Sequence, residues 1–256
     1  MNRRQVLGAL ATGAAASLAG CSGAAGAVAP PVLPTDELEA GGWEQTDSEE
    51  GTIFRERIGP IRVVGTHHTL SFEDVALRRS VREKTLGAID STLAMLSATH
   101  VDFSPDLNNL PANVGRKEVL EATEDAARDQ FVAQMEDAGL ADVQQTGTGT
   151  MAVDTGETAS TTTYGATFPV EDFGFDVAEG ARVTVPGGAV AVEGLLAVWN
   201  HGDYVLVAGG AAPAESFERH VTEDLSDAIT VTVDVELGLT PDAYREEIRR
   251  IVQGVR

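Results

Sequence analysis

The chain has 256 residues and carries 40 acidic against 18 basic side chains, which gives a formal net charge of −22 at pH 7. This acidity argues against nucleic acid as a partner, because proteins that bind nucleic acid need a basic footprint. It argues equally against docking on anionic lipid by charge. The single cysteine, Cys21, excludes disulfides within the chain and zinc sites built on cysteine.

Arginine supplies 16 of the 18 basic residues, and Lys84 and Lys117 are the only lysines. Strong acidity with so few lysines resembles the proteins of extremely halophilic archaea. In molar salt the Debye length falls to about 3 Å, so repulsion between surface carboxylates is screened. We therefore interpret the acidic clusters at residues 47–50 and 121–129 as solvated surface.

The beginning of the chain has the pattern of an export signal. Arg3 and Arg4 precede a modestly apolar, Gly- and Ala-rich run over residues 6–20, as in a signal of the twin-arginine type. The run is shorter than the roughly 20 residues that a membrane-spanning helix needs. An ordinary secretory signal or an uncleaved N-terminal anchor is the alternative.

The signal ends on a sequence that resembles a lipobox, in which Leu18, Ala19 and Gly20 precede Cys21. The resemblance implies a signal peptide over residues 1–20, passage through the twin-arginine translocase and a lipid on Cys21. A two-chain lipid is enough for stable attachment, so we expect a protein anchored in the cell membrane on its extracytoplasmic side. Residues 21–34, rich in Gly, Ala and Pro, predict a flexible spacer, and residues 35–256 a single globular domain.

Strand patterns dominate the first part of the domain. Residues 43–86 are predicted as strands, with the β-rich segment Ile61–Leu70 following a turn at Gly59 and Pro60. Residues 80–83 fit either a capping box or a charged strand. Residues 92–103 fit a strand and a short helix about equally.

The clearest helix is predicted over Gly115–Gly139. Gly139 suits the left-handed position after the helix, and Leu140 can pack back on Met135 as in a Schellman motif. The apolar stripe on which the helix prediction rests consists of Val119, Ala122, Ala126, Phe131, Met135 and Ala138.

Two segments with period-two alternation follow, Val143–Val153 and Thr158–Val170. The linker over residues 154–157 has the chemistry of a hairpin turn. Further along, Leu195–Trp199 and Tyr204–Ala208 are almost continuously apolar. Such runs predict central strands that are covered on both faces.

The last part of the chain is predicted to contain two helices and a strand. Residues 213–227 are predicted as a helix because Phe217, Val221 and Leu225 are four apart. Residues 229–237 alternate as a strand. Thr240 and Pro241 have the pattern of a helix start, and the buried stripe of the helix that follows is predicted to be Tyr244, Ile248, Ile251 and Val252.

Together these elements predict an α+β fold, with a largely antiparallel twisted β-sheet and about three helices on one face, in a single globular domain. The order of strands, helix, hairpins and a terminal helix resembles the PsbP/Mog1-type α/β sandwich. This resemblance lies in the pattern of elements, so it implies an architecture and no activity.

The histidines do not predict a metal site, and we expect neither a metal nor a cofactor. His67 and His68 are neighbours in a strand and therefore point to opposite faces. In the predicted helix, Glu223 and Asp224 follow His220 by one turn and could form a metal pair with it, although a surface histidine is far more common. The other histidines are His100 and His201.

No catalytic residues are predicted either. The chain lacks the Gly-x-Ser-x-Gly elbow of serine hydrolases. Residues 147–150, Gly-Thr-Gly-Thr, lack the lysine and spacing of a phosphate loop and predict close packing or a bulge. Residues 171–176 place three carboxylates beside Phe173 and Phe175, which makes them a weak candidate for a cation site; an acidic loop with both rings in the core is the alternative.

The twin arginine, the lipobox, the Lys-poor acidic chain and the strand at residues 204–210 together resemble haloarchaeal lipoproteins of unknown function. This resemblance implies a surface lipoprotein and no known activity. We predict a non-enzymatic binding or accessory module for a protein partner or for a small apolar ligand held between sheet and helices. The alternatives are a surface hydrolase that uses acidic residues and a structural envelope protein that self-associates.

Overall fold

The computed structural model describes residues 28–58, 61–109, 115–178, 181–226 and 229–256. The predicted signal peptide, the lipobox and the turn at Gly59 and Pro60 lie outside these residues. Eleven strands fall within the described ranges: β1 (Trp43–Ile58), β2 (Ile61–Asp74), β3 (Met95–Ser104), β4 (Ala141–Ala152), β5 (Thr158–Val170), β6 (Phe173–Ala178), β7 (Ala181–Val185), β8 (Gly188–His201), β9 (Tyr204–Pro213), β10 (Glu218–Ser226) and β11 (Ile229–Glu236).

Seven strands form one sheet in the order β1-β2-β3-β9-β8-β5-β4, and every neighbouring pair is antiparallel. The sheet joins two strand groups, β1-β2-β3 and β4-β5-β8-β9, which meet where β3 pairs with β9. Two separate hairpins, β6-β7 and β10-β11, complete the β-structure. The largely antiparallel sheet that the sequence predicts is thus confirmed.

Four helices lie in the described ranges, compared with the three that were expected: α1 (Thr35–Gly41), α2 (Val75–Lys84), α3 (Arg116–Asp137) and α4 (Pro241–Gln253). Helix α3 confirms the predicted helix and its ending. Gly139 has a φ of 88°, and the Leu140 amide donates to the Met135 carbonyl over 3.1 Å, as the Schellman motif requires.

Helices α3 and α4 pack on opposite faces of the sheet, so the expectation that the helices share one face is wrong. A Cβ at Gly209 would lie 3.0 Å from the Phe131 ring of α3, whereas a Cβ at Gly210 would lie 3.1 Å from Ile248 of α4. Adjacent strand residues point to opposite faces, so β9 lies between the two helices. The predicted central strands are confirmed, since β9 is the middle strand and β8 is beside it.

Helix α3 connects β3 to the far edge strand β4, and it touches both β1 and β4 as well as β8 and β9. The sheet must therefore curl around this helix. The Ala122, Ala126 and Ala138 positions of the predicted stripe are only half-buried. The buried stripe runs at four-residue intervals instead, through Val119, Thr123, Ala127, Phe131 and Met135.

Residues 75–84 form α2, although the sequence pattern favoured a strand there. The Asp74 carboxylate caps this helix by accepting the Leu77 amide over 2.8 Å, and the buried residues Leu77 and Val81 are four apart. The predicted capping box at residues 80–83 is wrong, because these residues lie in the last part of α2. The ambiguous segment 92–103 supplies strand β3.

The helix predicted over residues 213–227 is wrong, because residues 218–226 form strand β10 and pair with β11. Positions four apart also satisfy a period of two, so Phe217, Val221 and Leu225 fit either structure. The strand over residues 229–236 decides between a helix and a strand. A strand over residues 218–226 can pair with it, and this pairing satisfies the backbone hydrogen-bonding groups of both segments.

The described chain begins on the domain and not in a free spacer. Val28 and Leu33 are buried, and Val32 exchanges two backbone hydrogen bonds with Arg256, of 2.6 and 2.8 Å. The predicted spacer over residues 21–34 therefore overlaps the packed structure from residue 28 onward. The part of the spacer outside the described residues is 21–27.

Phe131 is the side chain on which the packing of α3 depends, since it is 2% exposed and lies against Gly194 and Gly209. We expect Phe131→Ala to lower the free energy of unfolding by about 3–5 kcal/mol, because it leaves a cavity in the core. Denaturant unfolding in molar salt measures this. Asp129→Ala, on the exposed side of the same helix, should change stability by less than about 0.5 kcal/mol, and equal effects of the two variants would contradict the assignment.

Candidate functional site

A groove opens where α4 crosses the middle of β8 and the end of β9. Its cavity volume is about 40 Å³, the rest of the groove is open to solvent, and Leu195, Ala212, Pro213 and Ile248 are among the residues that line it. Small side chains along β9 keep the floor low, and Gly210 lets Ile248 approach the strand closely. A concave, mostly apolar site of this kind can take the apolar part of a small molecule.

Polar side chains stand at the mouth of this groove, which we call the α4 groove. Arg245 donates to the Glu193 carboxylate over 2.9 Å and to Asp242 over 2.7 Å. Arg249, one turn further along α4, also lines the groove and is exposed. Two arginines therefore accompany a single carboxylate among the lining residues, in a chain whose charge is otherwise strongly negative.

A group of partly buried polar residues lies elsewhere on α4 and joins it to β1 and to the start of α2. The Trp43 indole donates to the Glu247 carboxylate over 2.8 Å, and Tyr244 lies beside Asp74. Gly41 makes room for the Glu247 carboxylate, since a Cβ there would lie only 1.6 Å from its Oε1 atom. This group fixes the position of α4 on the sheet.

Burial controls the protonation of these residues. It raises the pKa of the Asp74 carboxyl, and hydrogen bonds from the Leu77 amide and other donors oppose the rise. Burial also raises the pKa of Glu247, against the hydrogen bond from Trp43. Burial and the nearby Asp74 charge raise the pKa of Tyr244. The Asp74 and Glu247 carboxylates both accept hydrogen bonds from groups within the fold. We therefore assign them a structural role, which is to attach α4 to the sheet.

His67 and His68 have different partners, which agrees with their predicted placement on opposite faces of the strand. His67 bonds to Thr69 over 3.0 Å, and burial lowers its pKa, whereas His68 contacts the Val28 carbonyl over 3.1 Å. His100 stacks on Tyr204 with ring centroids 4.2 Å apart.

His220 lies on a strand and not on the predicted helix, so the less favoured possibility of a metal pair with Glu223 and Asp224 is excluded, and His220 is the exposed histidine that was expected. His220 contacts Asp234 on β11 instead. Within the described ranges no group of three or more His, Cys, Asp or Glu side chains is arranged to hold a metal ion.

The acidic segment 171–176 has internal partners for two of its three carboxylates. Asp172 accepts the Gly187 amide over 2.8 Å, and Asp176 pairs with Arg182 over 3.3 Å. Phe173 is buried, and its ring meets that of Phe175 edge to face. The alternative interpretation is right about the rings, which are directed inward, and wrong about the loop, because residues 173–176 belong to strand β6.

Neither Arg245 nor Arg249 was predicted from the sequence to be a site residue. The available signal was an arginine pair spaced by one turn on the final helix, beside the predicted apolar stripe. In contrast, the predicted residues Arg3, Arg4, Leu18, Ala19, Gly20 and Cys21 lie before the described part of the chain. No helix in that described part is long and apolar enough to cross a membrane.

The fold and the groove define an antiparallel α+β domain with a shallow, mostly apolar groove beside its last helix. A model of the DUF6517 family, a domain of unknown function, matches residues 30–256, so the chain belongs to this family. No curated protein and no solved structure matches the chain. The resemblance to the PsbP/Mog1-type sandwich therefore stays a prediction.

The raised pKa of Glu247 has a consequence for stability. The folded state holds this proton more tightly than the unfolded state does, so the resulting stabilisation is complete below the ordinary value of 4.5 and is lost as the pH rises through the raised value. We expect Glu247→Gln, which keeps an acceptor for Trp43, to gain stability relative to wild type as the pH rises above 4.5.

Denaturant unfolding across this pH range measures the difference. Glu246→Gln is the matched control, because it removes the same charge from an exposed position on the same helix. If the two variants had the same pH profile, burial of the Glu247 carboxyl would not be the source of the effect.

Proposed function

We propose that this chain is a lipoprotein of a halophilic archaeon, anchored outside the cell membrane, whose domain is a non-enzymatic binding module. Its ligand is a small molecule with an apolar body and one acidic group, and its site is the α4 groove. The observation that carries this proposal is the combination of an apolar floor with two arginines at the mouth, on a protein of net charge −22.

The apolar floor of the groove would bind the apolar body of the ligand, and the arginine at its mouth would bind the acidic group. The floor of Leu195, Ala212 and Ile248 would gain about 25 cal/mol for each Å² of apolar ligand surface that it removes from water. The Arg249 guanidinium can donate two parallel hydrogen bonds to a carboxylate, sulfonate or phosphate. Molar salt screens charges beyond about 3 Å, so only an anion in direct contact with the arginine would be held.

The attachment to the membrane is supported by the sequence. Arg3 and Arg4 precede an apolar run, and the single cysteine of the chain stands at the lipobox position. Val28, the first residue that the structure describes, is buried on the domain. A chain of seven residues spans at most about 25 Å, so a lipid on Cys21 would keep the domain close to the membrane surface.

A change in the signal tests export and anchoring separately. We expect Arg3→Lys combined with Arg4→Lys to leave the precursor inside the cell, because the translocase recognises the arginine pair. Cys21→Ser should still be exported but should appear in the soluble fraction, because it has no site for the lipid. Fractionation with immunoblotting measures both, and a Cys21→Ser chain that stayed in the membrane fraction would refute the lipid anchor.

A fluorescent probe tests the groove. The dye 8-anilinonaphthalene-1-sulfonate has an apolar body and one sulfonate, and its emission rises on transfer from water to an apolar site. We expect Arg249→Gln to weaken its binding at least about 10-fold, which corresponds to the loss of one hydrogen bond to a charged group. Leu195→Trp should abolish binding by filling the groove.

The matched control for this titration is Arg57→Gln, which removes one arginine from an exposed position on β1. It should bind the dye as wild type does. A loss of affinity equal to that of Arg249→Gln would show that net charge and not the groove governs binding, and the proposal would fail.

A surface hydrolase that uses acidic residues is the second proposal. Its supporting observation is that Asp74 and Glu247 both have a raised pKa, as acid–base catalysis often requires. The internal hydrogen bonds of these carboxylates favour the binding module. The structural envelope protein, our third proposal, requires self-association.

A further inference from the structure

Strand β4 forms one edge of the main sheet and pairs only with β5 among the described strands. Its residues are exposed or half-buried throughout. The outer backbone N–H and C=O groups of an edge strand are free to pair with another strand, and proteins usually protect such an edge with charges or proline. The other edge of the sheet, β1, follows this rule, since its sequence contains seven charged residues.

Strand β4 lacks the charges and the proline that usually protect a sheet edge. Asp142 is its only charged residue, and no proline interrupts it. From Val143 to Ala152 the strand consists of Gln, Thr, Gly and a few apolar residues, in a chain where 23% of residues are charged. An uncharged edge of this kind can pair with a strand edge of another acidic molecule without placing like charges opposite each other.

The sequence of this edge reads nearly the same in both directions about Thr148. Glycine stands on each side of it, at 147 and 149, and threonine follows at 146 and 150. When two copies of one strand pair antiparallel about a two-fold axis, each residue meets the residue at the mirrored position. Here threonine would face threonine, and opposed threonines are a favourable cross-strand pair.

We propose that β4 is the dimerisation edge of this protein and that its partner is the β4 strand of a second copy, paired antiparallel with Thr148 on the two-fold axis. The two main sheets would then form one continuous sheet of fourteen strands. The β-bulge at Thr146, between Gln145 and Gly147, interrupts regular pairing on one side, so the paired segment is short and centred on residues 147–149. The remaining β1 edges are charged, so assembly stops at two copies. This interface is separate from the α4 groove, and neither proposal depends on the other.

Cysteine substitutions in the full chain with Cys21→Ser test the register. Two Thr148 positions would face each other at the axis, within the 7 Å between Cα atoms that a disulfide needs. Two Thr150 positions would be offset by four residues, or about 14 Å. Mild oxidation should therefore cross-link Thr148→Cys and leave Thr150→Cys monomeric on a non-reducing gel. Equal cross-linking of both variants would overturn the proposed pairing.

Sedimentation of the same chain without the added cysteine tests the dimer itself. We expect a dimer at micromolar concentration, and we expect Thr148→Lys to raise its dissociation constant at least about 10-fold, because two ammonium groups would meet at the axis. The matched control is Thr52→Lys on the exposed β1 edge, which should sediment as wild type does. A monomeric wild-type chain, or an equal effect of the two lysines, would overturn the proposal.

Discussion

Strand β9 has no polar face, and the rest of the structure depends on this constraint. All its residues from Val205 to Pro213 are buried, so the sheet must be covered on both sides at its centre. Gly209 and Gly210 allow this by leaving space for Phe131 on one face and Ile248 on the other. Both helices can therefore pack directly against β9. The α4 groove forms where α4 crosses β8 and β9.

Much of the main sheet could be predicted because its residues carry one dominant period. The alternation over residues 158–170 and the continuous apolar run at 204–208 each fit one kind of strand, and the glycine at 139 fits one kind of helix ending. Prediction failed where two periods coincide. Phe217, Val221 and Leu225 are spaced for a helix and for a strand alike, and only the pairing with β11, a contact outside the segment, decides.

The groove was harder to predict than the fold. The sequence identified the apolar stripe of α4, but the importance of Arg245 and Arg249 depends on their position over β8 and the end of β9, which no local pattern contains. Glu247 was equally hard to identify. It looks like one more carboxylate in an acidic chain, until the fold places it against Trp43. In such a chain the contacts that the fold creates distinguish these positions, because charge alone does not.

If the proposed lipid on Cys21 holds the chain at the membrane, residues 28–34 would carry the mechanical load into the domain. The load would act on the contact between the Val28 carbonyl and His68 and then on the two backbone hydrogen bonds between Val32 and Arg256, just beyond α4. Both are contacts between segments that are far apart in sequence. A domain suspended in this way would resist detachment through its long-range contacts, and the helix that forms the groove would lie next to the point where the force enters.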